Sequence, residues 1–372
     1  MNLWRVEAKE PDGVRIVKYM GEITKKKINI LFAFWMLSSF FCLPAFVEEE
    51  PFAKELNLLN KFGGLDVPNE QILANPCDIA ISSEGFIYVL DSEDNNLKMF
   101  KRDGTFSKCI GRKGQGPGEF VRPWAISIKE DKFWVADAGN RRVQVFSKDG
   151  MYLRSYKVPV EYGVGLAFDE KGSLYLNTKG FRSSKLISAH DNQGNLLKEF
   201  GNLEGDLIEY YDYTLIKKQI KEGKIPDSFK NDILLITDRI GNLFAVHRAL
   251  NKFKKFSPKG KLLFEEEIEA DEYKNIYYSF LQKNASEESP SMFWALYYVN
   301  DLAIDKNGNL YILLNEPSRM IIYVYSSKGI FLGKLLGVED CIFRIIISND
   351  NCLYGLSQET HFIYKFKLPD SF

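Results

Sequence analysis

GRKGQGPGEFVRPWAISIKEDKFWVADAGNRRVQVFSKDG, residues 111–150, decides the fold. A Gly-rich turn leads into a strand that starts after Pro123. A tight reversal precedes a strand ending at Asp137, and a further turn precedes a third strand ending at Phe146. Apolar runs of this length, punctuated by Gly, Asn and Asp, describe one blade of an antiparallel sheet.

Working outward, two anchors recur. The first is an aromatic inside an apolar strand just after a turn: Tyr88, Trp134, Tyr175, Phe244, Tyr311 and Tyr354. The second stands just before a turn: Phe100, Phe146, His190, Phe256, Tyr325 and Phe366. Six of each predict six blades. The first anchors are spaced by 46, 41, 69, 67 and 43 residues. The short spacings suit four strands per blade, and the long ones mark insertions near 202–231 and 266–298.

An open ring would leave an unpaired edge. The last repeat ends after a third strand, HFIYKFKLP, whereas LLNKFG at 58–63 matches LLKEFG at 196–201, the fourth strand of blade three. Residues 55–63 are therefore expected to complete blade six. The fold class that follows is all-β, a six-bladed β-propeller of four-stranded antiparallel blades closed by an N-terminal strand.

GRKGQGPGEF, the Pro123 strand, WVADAGNRRVQVF and SKDG together resemble the repeat of NHL-type six-bladed β-propellers, over roughly residues 55–369. The likeness is strongest in blades one and two. Blade three, with NTKGFRSSKLI, lacks the Asp and Asn-x-Arg of ADAGNRRVQVF.

The chain carries a formal net charge of -1 without a long block of one sign, which gives no general attraction to a polyanion and excludes nucleic acid as the expected partner. Lys25, Lys26 and Lys27 precede an apolar run, Ile28–Val47, and Glu48, Glu49 and Glu50 follow it. That is the charge order of an export signal, and the run also has nearly the length of a membrane anchor. The expected organisation is an N-terminal extension with export signal or anchor at 1–47, a linker at 48–54 and the propeller at 55–372. Translation from Met20 would shorten the leader to ordinary length. The expected location is periplasmic or extracellular, with residues 28–47 as the tether if uncleaved. Beyond the export segment lie Cys77, Cys109, Cys341 and Cys352, which an oxidising compartment allows to pair in three ways, or which stay isolated thiols.

The closely spaced glycines of GRKGQGPGEF invite a phosphate-loop reading, but no helix follows and no Lys-Ser/Thr pair closes the motif, so a structural interblade turn is expected. Asp137, Asn140 and Arg141 read as ties for the turn between second and third strands, with Arg141 bonding Asp137 or a carbonyl. His190, His247 and His361 all lie off the innermost strands, whereas a zinc lyase on this fold would need imidazoles converging on the axis. The innermost strands begin with Asp78, Ala125, Gly165, Asp232, Asp301 and Arg344 at their mouths. A calcium site of the lactonase kind would use Asp78 and Asp301, but Arg344 stands between them in ring order and favours an ion-paired plug.

Both insertions link one blade to the next, so both are expected on one face, beside Arg112 and Arg122. They carry many aromatics, of which Tyr211, Tyr278 and Trp294 are the expected contacts for a protein, peptide or glycan. Packing of the insertions on each other would account for the rest. Asn284-Ala285-Ser286 is a formal glycosylation sequon. The expected function is that of a monomeric binding or scaffold protein, with no catalytic residue, metal or cofactor. The competing reading is a metal-assisted, calcium-type hydrolase or lactonase at the channel mouth.

Overall fold

The computed structural model describes residues 53–370 except 130, 131, 162, 182, 211, 287, 288, 290 and 291, together with the backbone of 4–9 and 15–20. The chain divides into two units, Met1–Glu50 and Pro51–Phe372. Within the first, Trp4–Lys9 pairs antiparallel with Arg15–Met20. The apolar run at 28–47 lies outside the described residues, and no helix among those described is long and apolar enough to cross a membrane.

The second unit is a six-bladed propeller. The innermost strands are Pro76–Ile81, Pro123–Lys129, Leu166–Phe168, Ile233–Thr237, Val299–Ile304 and Ile342–Ile347. Each blade then runs outward in chain order, every strand antiparallel to the last. Second strands such as Ile87–Asp91 are buried throughout. A neighbouring blade covers each of their faces, so they read as continuous apolar runs rather than as alternation. Outer strands such as Leu262–Glu267 are largely exposed. All twelve sequence anchors fall on second and third strands, and all are buried.

Asn57–Gly63 pairs antiparallel with Phe362–Lys367, with Lys61 opposite Tyr364, and supplies the fourth strand of blade six. The N-terminal segment also does something the sequence reading missed. Ala53–Glu55 lies parallel against Phe331–Leu336, the outer strand of blade five, and makes that sheet five-stranded. Arg319 holds it by an ion pair to Glu55 at 2.6 Å.

The blades join through one repeated contact. A large side chain from the outer strand of one blade lies under the glycine that ends the third-to-fourth-strand turn of the next: Ile110 under Gly150, Tyr156 under Gly194, Phe200 under Gly260, Phe264 under Gly329 and, across the closure, Phe62 under Gly104. A methyl group on any of these glycines would sit 3.0 Å or less from that side chain or from an atom beside it. Each glycine also has a φ between 81° and 91°, which disfavours other residues. The glycine that closes the turn after five of the six second anchors is thus a seat for the preceding blade.

Phe62 is the closing copy of this contact, and its ring also packs on Phe100 with centroids 5.6 Å apart. Phe62→Ala is expected to cost about 2–3 kcal/mol in denaturant unfolding, somewhat below a fully buried Phe because this ring is only partly covered. Leu59→Ala, on the exposed side of the same strand, should stay within about 0.5 kcal/mol. Equal effects of the two would contradict the seal.

Candidate functional site

The Gly-rich link between blades one and two has no free anion cradle. Gly116 N–H donates to Glu119 Oε2 and Gly118 N–H to Gln144 Oε1. Arg112 also spends its charge on Glu119, at 2.8 Å, with most of its side chain in solvent. Arg122 is exposed, and its backbone N–H donates to Asn95 Oδ1.

The tie at this turn is Arg142, not Arg141. Arg142 donates from Nε to buried Asp137 at 2.8 Å, and from its terminal nitrogens to the carbonyls of Gln115, Gly116 and Glu119. Arg141 occupies the left-handed position of the turn and reaches only Glu161, at 3.5 Å. The correction is a matter of side-chain direction. Residue 142 opens the third strand facing the interblade link, whereas residue 141 still lies in the turn and points outward. Asp137 additionally accepts from Val121 N–H and Asn140, so one carboxylate knits the second-to-third-strand turn to the preceding link.

The two insertions form one cap. In the first, α1 (Tyr213–Lys221) starts at Asp212, whose side chain accepts from Leu215 N–H. It buries Ile216 and Ile220, one turn apart, and α2 (Asp227–Lys230) buries Phe229. In the second, α3 (Tyr273–Ala285) buries Tyr273, Ile276, Phe280 and Asn284. Phe229 meets Phe280 and Phe293, with centroids 6.3 Å and 5.4 Å away, and Tyr277 Oη donates to Gly223 O at 2.8 Å. The cap shares a core with blades four and five through Phe244, Phe253 and Tyr323.

Helical periodicity therefore sorts the insertion aromatics. Tyr273, Phe280 and Tyr298 are packing residues. Tyr278 is 64% exposed, Trp294 51% and Tyr210 73%. Tyr211 lies outside the described residues. Asn284, first member of the sequon, is buried and clamps the backbone of Trp294: its Nδ2 donates to Trp294 O at 3.1 Å and its Oδ1 accepts from Trp294 N–H at 2.9 Å. That amide is occupied in structure and unavailable to a glycan.

The innermost strands enclose a channel with a cavity of about 870 Å³, lined at the insertion side by Asp78, Trp124, Arg248, Asp301 and Arg344. Asp78 accepts from Ile79 N–H at 2.9 Å and from Ile126 N–H of blade two at 2.7 Å. Asp301 repeats the motif with Ile345 N–H of blade six, at 2.7 Å. Arg344 Nε lies 3.9 Å from Asp78 and donates to Cys77 O at 2.9 Å. Burial pushes the Asp78 carboxyl up to about 7, with Arg344 opposing the shift and the Asp301 charge adding to it. Burial raises Asp301 too. The three mouth residues named from sequence do share one site, joined by Arg248 and Trp124, which the repeat pattern did not single out. A guanidinium set among these carboxyls repels a cation.

The histidines stay apart from it. His247 is buried with Nδ1–H on Lys230 O, and burial pushes its ring down to about 4. His190 bonds Ser188 and Gly194 O. Among the described residues no three His, Cys, Asp or Glu gather as a metal site. Among the described residues the four cysteines are free thiols, Cys77 and Cys352 buried.

Arg142→Ala would leave the Asp137 carboxylate short of its charged partner, and unfolding should show a loss of about 3–5 kcal/mol. Arg141→Ala should change stability by less than about 0.5 kcal/mol. For Asp78 the sign is opposite to that of a salt-bridged carboxylate. Its folded pKa lies above the ordinary 3.8, so the folded state binds the extra proton and stability falls as pH rises from about 4 to about 7. Asp78→Asn should flatten the melting temperature across that window and raise it at pH 7, as thermal scans in matched buffers would show.

A family model described as a 6-bladed beta-propeller matches residues 65–219. NHL repeat-containing protein 3 of Homo sapiens is 34% identical over 79 residues, 20% of this chain and 23% of that protein. Protein brain tumor of Drosophila melanogaster is 22% identical over 146 residues, 38% of this chain and 14% of that protein. The chain thus matches less than a quarter of the length of these curated relatives. A structure solved for a candidate exported protein of Bacteroides fragilis overlays with a TM-score of 0.54 at 13% identity, covering 84% of this chain and 98% of the other. A member of the duf4221 family from Bacteroides vulgatus gives 0.51 at 10% identity, covering 84% and 97%. At such identities the overlays speak to fold alone. Repeat, ring and closure agree: the chain is a six-bladed β-propeller whose repeat is similar to that of NHL proteins.

Proposed function

We propose that this propeller is an exported binding or scaffold protein that recognises a protein, peptide or glycan through the face bearing its two insertions. The observation that carries the reading is the display of Tyr210, Tyr278 and Trp294 in solvent on a cap in which Tyr273, Phe280 and Tyr298 are consumed in packing. Large amphipathic rings held on rigid backbone lose little entropy on binding, and they dominate the energetics of recognition surfaces. Rigidity here comes from the Asn284 clamp on Trp294, from the shared core with blades four and five and from the rings joining the two insertions. Export is supported by the Lys25–Lys27, apolar, Glu48–Glu50 order of the leader.

Chemistry at the channel mouth is disfavoured by the arginines among its carboxyls. Tyr278→Ala combined with Trp294→Ala leaves the buried core of the cap intact, so the melting temperature should stay within a few degrees of wild type. In glycan-array and peptide-array binding by the purified chain, signals of the wild type should fall tenfold or more in this double variant. Undiminished binding would remove the insertion face from the account.

A further inference from the structure

The strongest unassigned feature is a pair of arginines at the insertion-side mouth of the channel. Arg248 comes from the turn after the second strand of blade four. Its guanidinium lies 3.5 Å from the centroid of Tyr297, and its Nε donates to Val299 O at 3.4 Å. Arg344 comes from the innermost strand of blade six. Its Nη1 donates to Asn300 O at 3.3 Å and to Phe343 O at 3.2 Å, while Nε is taken by Cys77 O. Val299 and Asn300 are consecutive at the head of the innermost strand of blade five, which stands between blades four and six. The two guanidiniums therefore flank one strand head, each anchored by backbone carbonyls rather than by a tight carboxylate pair.

What remains open is informative. Among the described residues no acceptor reaches the two terminal nitrogens of Arg248 or Nη2 of Arg344. The nearby carboxyls are committed elsewhere: Asp78 to Ile79 and Ile126 N–H, and Asp301 to Ile345 N–H, with 3.9 Å as the nearest approach of Asp78 to Arg344. Both arginines line the cavity of about 870 Å³, with Trp124, Val164 and Leu234 in the same wall. That volume lies in the range of small-molecule sites, and an apolar wall with a few converging donors is their usual composition. Unspent, fork-shaped N–H donors that are pre-oriented by stacking suit a planar, bidentate oxyanion.

We infer that this mouth binds the carboxylate of a small organic ligand, with Arg248 as the principal donor, Arg344 as the second, and Trp124 packing on the ligand body. A peptide C-terminus and a uronic acid present the same group, and either can supply it. The site is separate from the exposed aromatics of the cap and stands or falls without them.

The test is calorimetric titration of the purified full-length chain with two matched pairs, N-acetylphenylalanine against its amide and glucuronate against glucose. In at least one pair the acid should bind tenfold or more tightly than its neutral partner. Preference in the first pair identifies the peptide source and in the second the sugar source. Arg248→Gln should erase the preference while leaving affinity for the neutral partner unchanged. Arg248→Lys keeps the charge and loses the fork, so it should weaken acid binding threefold or more; it carries the test if the Gln variant melts at lower temperature. The Tyr278→Ala, Trp294→Ala double variant should bind the acid as wild type does, which separates this site from the cap. Equal affinities or no binding in both pairs, or a preference that survives Arg248→Gln and Arg248→Lys, would overturn the assignment.

Discussion

A side chain seated under a glycine of the next blade is the contact on which the rest of this structure depends. Sheets packed face to face in a ring need a fixed rotation between neighbours, and a contact repeated at the same level of successive blades sets it. Here the outer strand of five of the six blades reaches under a turn of the following one, and that turn can come close only because its glycine has no Cβ and accepts a positive φ. Five such seats, from Gly104 to Gly329, make the junctions alike although the sequences of the blades diverge. The channel and the insertion face inherit their geometry from this spacing.

Much of that was legible in the sequence, because it is carried by residues with steep preferences. Buried aromatics, positive-φ glycines and the near identity of LLNKFG with LLKEFG leave few alternatives, so blade number and closing strand follow. What escaped depends on direction rather than on spacing. Arg141 and Arg142 are adjacent, and only the point at which the turn becomes strand decides which one faces Asp137. Ala53–Glu55 is too short and too ordinary to announce a parallel pairing with blade five. Arg248 follows the second strand of blade four and Tyr297 closes the second insertion, and the two meet only in the folded ring. Asn284 reads as a sequon until α3 turns it inward onto Trp294.

The insertion side holds two surfaces of different character. On the cap, apolar rings protrude and the backbone beneath them is pinned. In the channel, charge dominates, and neighbouring carboxyls are raised by burial while backbone N–H groups still support them. The first suits extended contact with little desolvation of charge; the second suits one group that can enter and satisfy open donors. The bonds of Asp78 and Asp301 to the next blade show that the same carboxyls also stitch the inner ring.

Closure by an N-terminal strand also sets a timetable. Residues 57–63 emerge from the ribosome well before their partner, Phe362–Lys367, which lies about 300 residues further along the chain. At ordinary elongation rates that leaves the segment without its pairing edge for roughly 15–60 s. During that interval Leu58, Leu59 and Phe62 are an unpaired apolar strand in search of an edge, and the outer strand of any finished blade offers one. A nascent chain of this kind is most vulnerable to mispairing before its final blade is complete, and the parallel berth of Ala53–Glu55 on blade five gives the segment a first native foothold one blade early.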